Sequence, residues 1–186
     1  LLAKHPTDPD AALMLATLYI AQGRGEESLS IMRQSAAANP TNLEVLDGLA
    51  SILTRTGREN EGEVVYRKLV DLEPRVFDHR IKLVQFYDRR KEYVKAESVL
   101  REAIKLEPDS EMRQLRLAEY LILRGTPEKV EAFLQEAQRQ LPHATKQPLV
   151  LADEAAERAP AADWRRVQPS RSTLSRFANA VSSSAP

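Results

Sequence analysis

The chain has 186 residues, 42% of them apolar and 29% charged, and its 27 basic and 27 acidic side chains cancel to a formal net charge of zero. That balance argues against a general nucleic-acid or acidic-membrane binder held by charge. The absence of cysteine removes disulfides, thiolate metal sites and thiol nucleophiles, and no stretch approaches the roughly eighteen apolar residues of a membrane span.

From the N-terminus onward, one residue type recurs at a fixed interval: Pro6, Pro40, Pro74, Pro108 and Pro142 are 34 residues apart. A constant period of this length through helix-rich sequence predicts a stack of like two-helix units. Residues 1–6 are expected to be the end of a preceding repeat helix. The chain opens at Leu1 without a methionine, so a fragment or mature segment is expected, with any signal or anchor upstream.

Four units follow, at 9–42, 43–76, 77–110 and 111–144. In the first helix of each, Leu15, Leu49, Leu83 and Leu117 form one column and Ala16, Ala50, Val84 and Ala118 the next. Tyr19, Leu53, Tyr87 and Leu121 come three residues later, so each set gathers on one helical face. Gly23, Gly57, Lys91 and Gly125 mark the break, where glycine can take the left-handed conformation that closes a helix. A small column follows (Ser28, Gly62, Ala96, with Val130 larger), then Met32, Tyr66, Leu100 and Leu134, then Ser35, Leu69, Ala103 and Ala137. These steps of four and three make the stripe of a second helix, and the small column lets the two helices cross closely. Thr126-Pro127-Glu128 is a good start for the last of these helices.

After Pro142 the phase continues through Leu151, Ala152 and Ala155, so residues 145–158 are expected to form a capping helix over the end of the array. Residues 159–186, with Pro160, Pro169, Pro186 and Ser182 to Ser184, are expected to be a disordered tail. Within that tail Arg165, Arg166, Arg171 and Arg176 stand against Asp163 alone, with Trp164 and Phe177 among them.

These columns resemble the tetratricopeptide repeat, with its large residue, Leu-Gly, Tyr, Gly, Ala, aromatic, Ala and Pro over 34 positions. The bulky fourth position is Ala12, Leu46, Arg80 and Gln114 here, and the glycine after the leucine is replaced by Ala or Val. The resemblance implies an all-α fold, a right-handed superhelical α-solenoid of antiparallel helix pairs. It also implies a concave groove lined by the second, fifth, ninth, twelfth and thirteenth positions of each first helix. Carried onto this chain, those positions are Leu13, Thr17, Ile20 and Ala21 in the first unit and Glu44, Asp47, Ser51, Thr54 and Arg55 in the second. The third contributes Asp78, Ile81, Gln85, Asp88 and Arg89, and the fourth Leu115, Glu119, Ile122 and Leu123. The expected surface has a polar centre and two apolar shoulders. The alternative is that its apolar members pack between neighbouring helices. The Lys and Asn pattern that clamps a C-terminal carboxylate is missing, since Asp47 and Ser51 occupy those places.

No chemistry emerges beside the repeat. Gly23-Arg24-Gly25 follows a helix rather than a strand and lacks a third glycine. Gly57 and Gly62 have phosphate-loop spacing, but Glu63-Val64 stands where Lys and Ser or Thr are required. His5, His79 and His143 are scattered and are expected to be solvated. Carboxylate pairs such as Asp8 with Asp10 and Glu26 with Glu27 fall at helix N-termini, where they complement the dipole. The expectation is therefore a non-catalytic scaffold without cofactor or metal that binds a peptide or helix of a partner protein. Arrays of this kind resemble those of bacterial envelope assembly and secretion systems, and cytoplasm and periplasm are both compatible. The rival readings are the recognition arm of a larger enzyme and an RNA-binding helical repeat. The latter runs at about thirty-five residues with a basic groove.

Overall fold

In the computed structural model, which describes residues 8–140, the helices begin and end where the sequence supplies stops. Asp8 caps α1 (Pro9–Ala21) by accepting the Ala11 amide at 2.8 Å, and Asn42 caps α3 (Leu43–Arg55) by accepting the Val45 amide at 3.0 Å. With α2 (Gly25–Ala38), α4 (Glu59–Leu72), α5 (Phe77–Arg89), α6 (Tyr93–Leu106), α7 (Glu111–Arg124) and α8 (Pro127–Gln140), the described residues form eight helices packed as sequential antiparallel pairs. The first helix of each pair starts at residue 9, 43, 77 or 111, one period apart. The chain divides into two compact units, Leu1–Phe86 and Tyr87–Pro186, and the division falls inside α5. The helix end expected at 1–6, the capping helix at 145–158, the tail at 159–186, and His5 and His143 lie outside the described residues.

The turns inside the pairs follow one device three times. Gly23, Gly57 and Lys91 all have positive φ, at 75°, 76° and 60°. The next residue then donates back five positions to close the helix: Arg24 to Tyr19, Arg58 to Leu53 and Glu92 to Tyr87, at 2.8, 2.8 and 2.9 Å. Lys91 keeps the glycine conformation despite its side chain. Gly125 departs from the expected left-handed form, with φ −85°. Its link is one residue shorter, only Gly125 and Thr126 between α7 and α8, and a Cβ at 125 would lie 2.5 Å from the Leu121 carbonyl oxygen. Glycine is needed there for closeness, not handedness.

In the first two pairs the small column sits where the helices approach most closely. Ser28 donates its hydroxyl to the Ala16 carbonyl at 2.8 Å, both buried. One period later, a Cβ on Gly62 would stand 3.5 Å from the Ala50 carbonyl and 3.1 Å from Thr54 Oγ1. Around the first crossing Ala12, Ala16, Leu29, Met32, Val45, Leu49, Ile52 and Leu53 form a continuous buried core. Tyr66 meets Phe86 with ring centroids 5.4 Å apart, which ties α4 to α5.

The fourth position of each first helix, bulky in the resembled family, is filled differently in the later pairs. Arg80 and Gln114 are buried, and each donates to the carbonyl of the proline six residues earlier, Pro74 and Pro108, the second at 2.7 Å. Beside Gln114, buried Arg113 donates to the Ala103 carbonyl at 2.8 Å and pairs with Glu107 at 2.8 Å, joining α7 to the end of α6. The Arg80, Arg113 and Gln114 nitrogens named here each meet an acceptor, as burial favours.

The turn column gives a direct test. Lys91→Gly should stabilise the protein by about 0.5–1 kcal/mol and Gly57→Lys should destabilise it by a similar amount, because only glycine occupies the left-handed region without strain. Urea midpoints of the two variants measure this; an unchanged midpoint for Lys91→Gly would show that residue 91 carries no strain.

Candidate functional site

Fifth, ninth and twelfth or thirteenth positions of a helix share one face, and in the N-terminal unit three such faces lie side by side. α1 packs on α3 as well as on α2. Gly48 permits this approach, since a Cβ there would come within 2.5 Å of Leu13 Cδ2 and 3.0 Å of Met32 Cε. α3 and α5 are joined by Lys82 Nζ and Asp47 Oδ2 at 2.8 Å. On the resulting surface Thr17, Ser51, Arg55 and Gln85 are exposed, while Leu13, Ile20 and Ile81 are half-buried. Leu13 and Ile20 also pack on the core cluster, so the apolar shoulder at this end belongs partly to the interior.

The two long edges of this surface differ in charge. Asp10, Glu44 and Asp78, one in the first turn of each of α1, α3 and α5, are exposed and have no hydrogen-bond or ion-pair partner among the described residues. At the opposite end of α3 the exposed Arg55 is its last residue. Acid at the start and base at the end of a helix complement its dipole, and the repeat lines up the acids 34 residues apart.

In the C-terminal unit the predicted residues fare unevenly. Arg89 is exposed, and Leu115 and Leu123 are half-buried. Glu119 bonds Arg116 at 3.0 Å. Ile122 corrects the expectation: it is 1% exposed and fully buried, so it belongs to the packing of α7 and not to a surface open to a partner. Asp88 is held by Arg124 through two hydrogen bonds of 3.0 and 3.2 Å, and the Arg124 guanidinium lies 5.4 Å from the Tyr93 ring centre. Burial first, then the Asp88 carboxylate, pushes the Tyr120 hydroxyl above its ordinary pKa, so it stays protonated.

Spacing alone did not reveal the pairs Asp47 with Lys82 and Asp88 with Arg124. Opposite charges one repeat plus one or two residues apart, 35 and 36 here, were the signal available. His79 is a second correction. Its side chain is 11% exposed instead of solvated, with Nε2 3.1 Å from Glu73 Oε2 across the turn before α5. Asp8 and the Glu26 and Glu27 carboxylates sit at helix starts, as expected.

On the second-helix side a shallow cavity of about 290 Å³ is lined by Val94, Glu97, Ser98, Arg101, Glu102, Lys105 and Lys129. Burial pushes Glu97 up, but hydrogen bonds from Lys129 and Arg101 outweigh it and leave the carboxyl below its usual range. Its charges are thus largely spent on each other. Among the described residues no helix is long and apolar enough to cross a membrane, and no group of three acidic or histidine side chains could hold a metal ion.

Comparison with known proteins places this geometry. A tetratricopeptide repeat family model matches residues 1–52. A tetratricopeptide repeat protein from Parabacteroides merdae has a similar structure, at TM-score 0.55 and 18% identity over 100% of this chain and 70% of its own. MamA from Desulfovibrio magneticus superposes at TM-score 0.50 and 16% identity over 96% of this chain and 97% of its own. YrrB, described as a tetratricopeptide repeat protein with an unusual peptide-binding site, does so at 0.50 and 14% over 96% and 95%. At these identities the likeness shows the fold. No curated protein matches the sequence.

Burial of Ile122 separates its role from that of the surface residues. Ile122→Asp should cost more than about 3 kcal/mol and erase cooperative unfolding, since it buries an unpaired charge. Ser51→Asp should stay within roughly 0.5 kcal/mol of the unmodified chain. Thermal denaturation followed by circular dichroism distinguishes them, and a well-folded Ile122→Asp protein would return that residue to the surface.

Proposed function

We propose, from the premise that this chain belongs to the tetratricopeptide repeat family, that the first-helix face of its N-terminal unit binds an extended or helical segment of a partner protein. Proteins of this family generally serve as protein-interaction scaffolds. The observation that carries the finer reading is the surface of α1, α3 and α5: exposed Thr17, Ser51, Arg55 and Gln85 alternate with half-buried Leu13, Ile20 and Ile81. Half-buried apolar side chains give shallow anchors, and the polar ones between them supply hydrogen bonds that fix register. YrrB, which shares the fold, is described as having an unusual peptide-binding site, and that supports peptide binding by this chain.

The complementary segment is amphipathic, with polar residues between hydrophobic anchors. The exposed carboxylates of Asp10, Glu44 and Asp78 along one edge favour basic groups on the segment's flank. Asp47 and Asp88 are occupied by Lys82 and Arg124, so they hold neighbouring helices together and leave recognition to the exposed residues. No arrangement of nucleophile, base and orienting group accompanies this surface among the described residues, and binding is the function it supports.

Selection of random peptides displayed on phage against the intact chain tests this. Recovered peptides should lose at least about tenfold in affinity for the double variant Ser51→Arg, Gln85→Arg, a change of about 1.4 kcal/mol or more, while its thermal midpoint stays near that of the parent. Equal affinity for both proteins, or competition only by substitutions at Val64 or Val94 on the second helices, would move the site elsewhere.

A further inference from the structure

We infer that the outer face of α1 docks on α1 of a second copy, so that the chain forms a weak antiparallel dimer through its first described helix. This goes beyond the groove reading and does not depend on it. The observation that carries it is an exposed apolar seam whose order of residue sizes is the same read in either direction.

Asp10 is the only charged residue of α1. Ala12 and Ala16 face inward, buried in the core cluster. At 3.6 residues per turn, Ala11, Met14, Leu18 and Ala21 lie on the opposite side of the helix. Met14 is 76% exposed and Leu18 51%, and Ala21 is exposed as well. A surface helix ordinarily turns polar side chains outward. One period on, the corresponding residues of α3 are Val45, Gly48, Ile52 and Arg55, and Val45 and Ile52 are buried in the cluster to which α1 and α2 contribute. The same register is therefore an established helix interface in α3 and open in α1.

Spacing and size together name the occupant. Steps of three, four and three are those of the a and d positions of a coiled coil, and along the seam the order is small, large, large, small. Two copies laid antiparallel, with the two-fold axis midway between Met14 and Leu18, set Met14 against the partner's Leu18 and Ala11 against the partner's Ala21, each contact made twice. The large side chains fill the centre, and the small ones let the ends close.

Charge agrees with this pairing. The four seam residues bring no charge to bury. The exposed Asp10 at the start of one helix comes toward the exposed Arg24, just past the end of the other. Antiparallel helices also set the positive end of one dipole beside the negative end of its partner. From Ala11 to Ala21 the seam is only about 15 Å long at 1.5 Å per residue, so the contact stays below the roughly 1,200 Å² of standard interfaces and forms at high protein concentration. Being isologous, it closes at two copies.

Sedimentation velocity of the intact chain over about a hundredfold range of concentration tests the inference. The sedimentation coefficient should rise from monomer to dimer and no further. Met14→Glu and Leu18→Lys should each weaken association at least about tenfold. Thermal melting of the dilute variants, followed by circular dichroism, should stay close to the parent because both side chains are exposed. An equimolar mixture of the two variants should recover the dimer, since an introduced carboxylate then faces an introduced ammonium.

A monomer at every concentration overturns the inference. If Met14 then resists oxidation by hydrogen peroxide, another part of the same chain covers the seam; if it oxidises freely, the seam is bare. A dimer untouched by both substitutions lies elsewhere, and a mixture that stays monomeric while each variant is weakened excludes the antiparallel pairing; both results overturn it as well. The groove reading is decided separately, by the response of selected peptides to the Ser51 and Gln85 substitutions.

Discussion

The structure depends on how closely two helices approach within each pair. Where α1 and α2 cross, the Ser28 hydroxyl reaches the Ala16 carbonyl at 2.8 Å. One period on, Gly62 leaves no room for more than a hydrogen above Ala50 and Thr54 without pushing on a neighbour. A bulky residue there would spread the pair and open the core that Leu29, Met32, Leu49 and Leu53 fill. The same close contact thus holds α1 to α2 and α3 to α4. The faces of α1, α3 and α5 then come up side by side.

Polar side chains replace bulk at a position where the family uses it. Arg80 and Gln114 are buried yet donate to the carbonyls of Pro74 and Pro108. A proline carbonyl ending one unit thereby accepts from the first helix of the next. A proline placed there stops a helix and also presents an acceptor whose own residue has no competing N–H. This gives the inter-repeat turn a second job that apolar packing alone would not supply.

Much of the fold was legible because periodic features leave periodic traces. The proline interval, the glycine or Lys91 break and the small column each mark one local event, and the helices begin at the residues the period names. The site was legible only in part. Helical phase correctly put Thr17, Ser51, Arg55 and Gln85 on one exposed face. The same phase misplaced Ile122, which is buried, and left Asp47 and Asp88 looking free when Lys82 and Arg124 hold them. Phase tells which side of a helix a residue occupies, but not what the next helix places against it.

The sequence by itself determined the repeat length, the pairing of helices and the positions of the turns, since these follow from local rules: proline lacks a donor, glycine tolerates positive φ, and small residues permit close crossing. Tertiary structure alone decided which members of the predicted groove remain at the surface and that His79 lies against Glu73. Those outcomes depend on distances between residues of different helices. A period fixes where each helix starts, whereas burial and ion pairing depend on the packing of whole side chains against their neighbours.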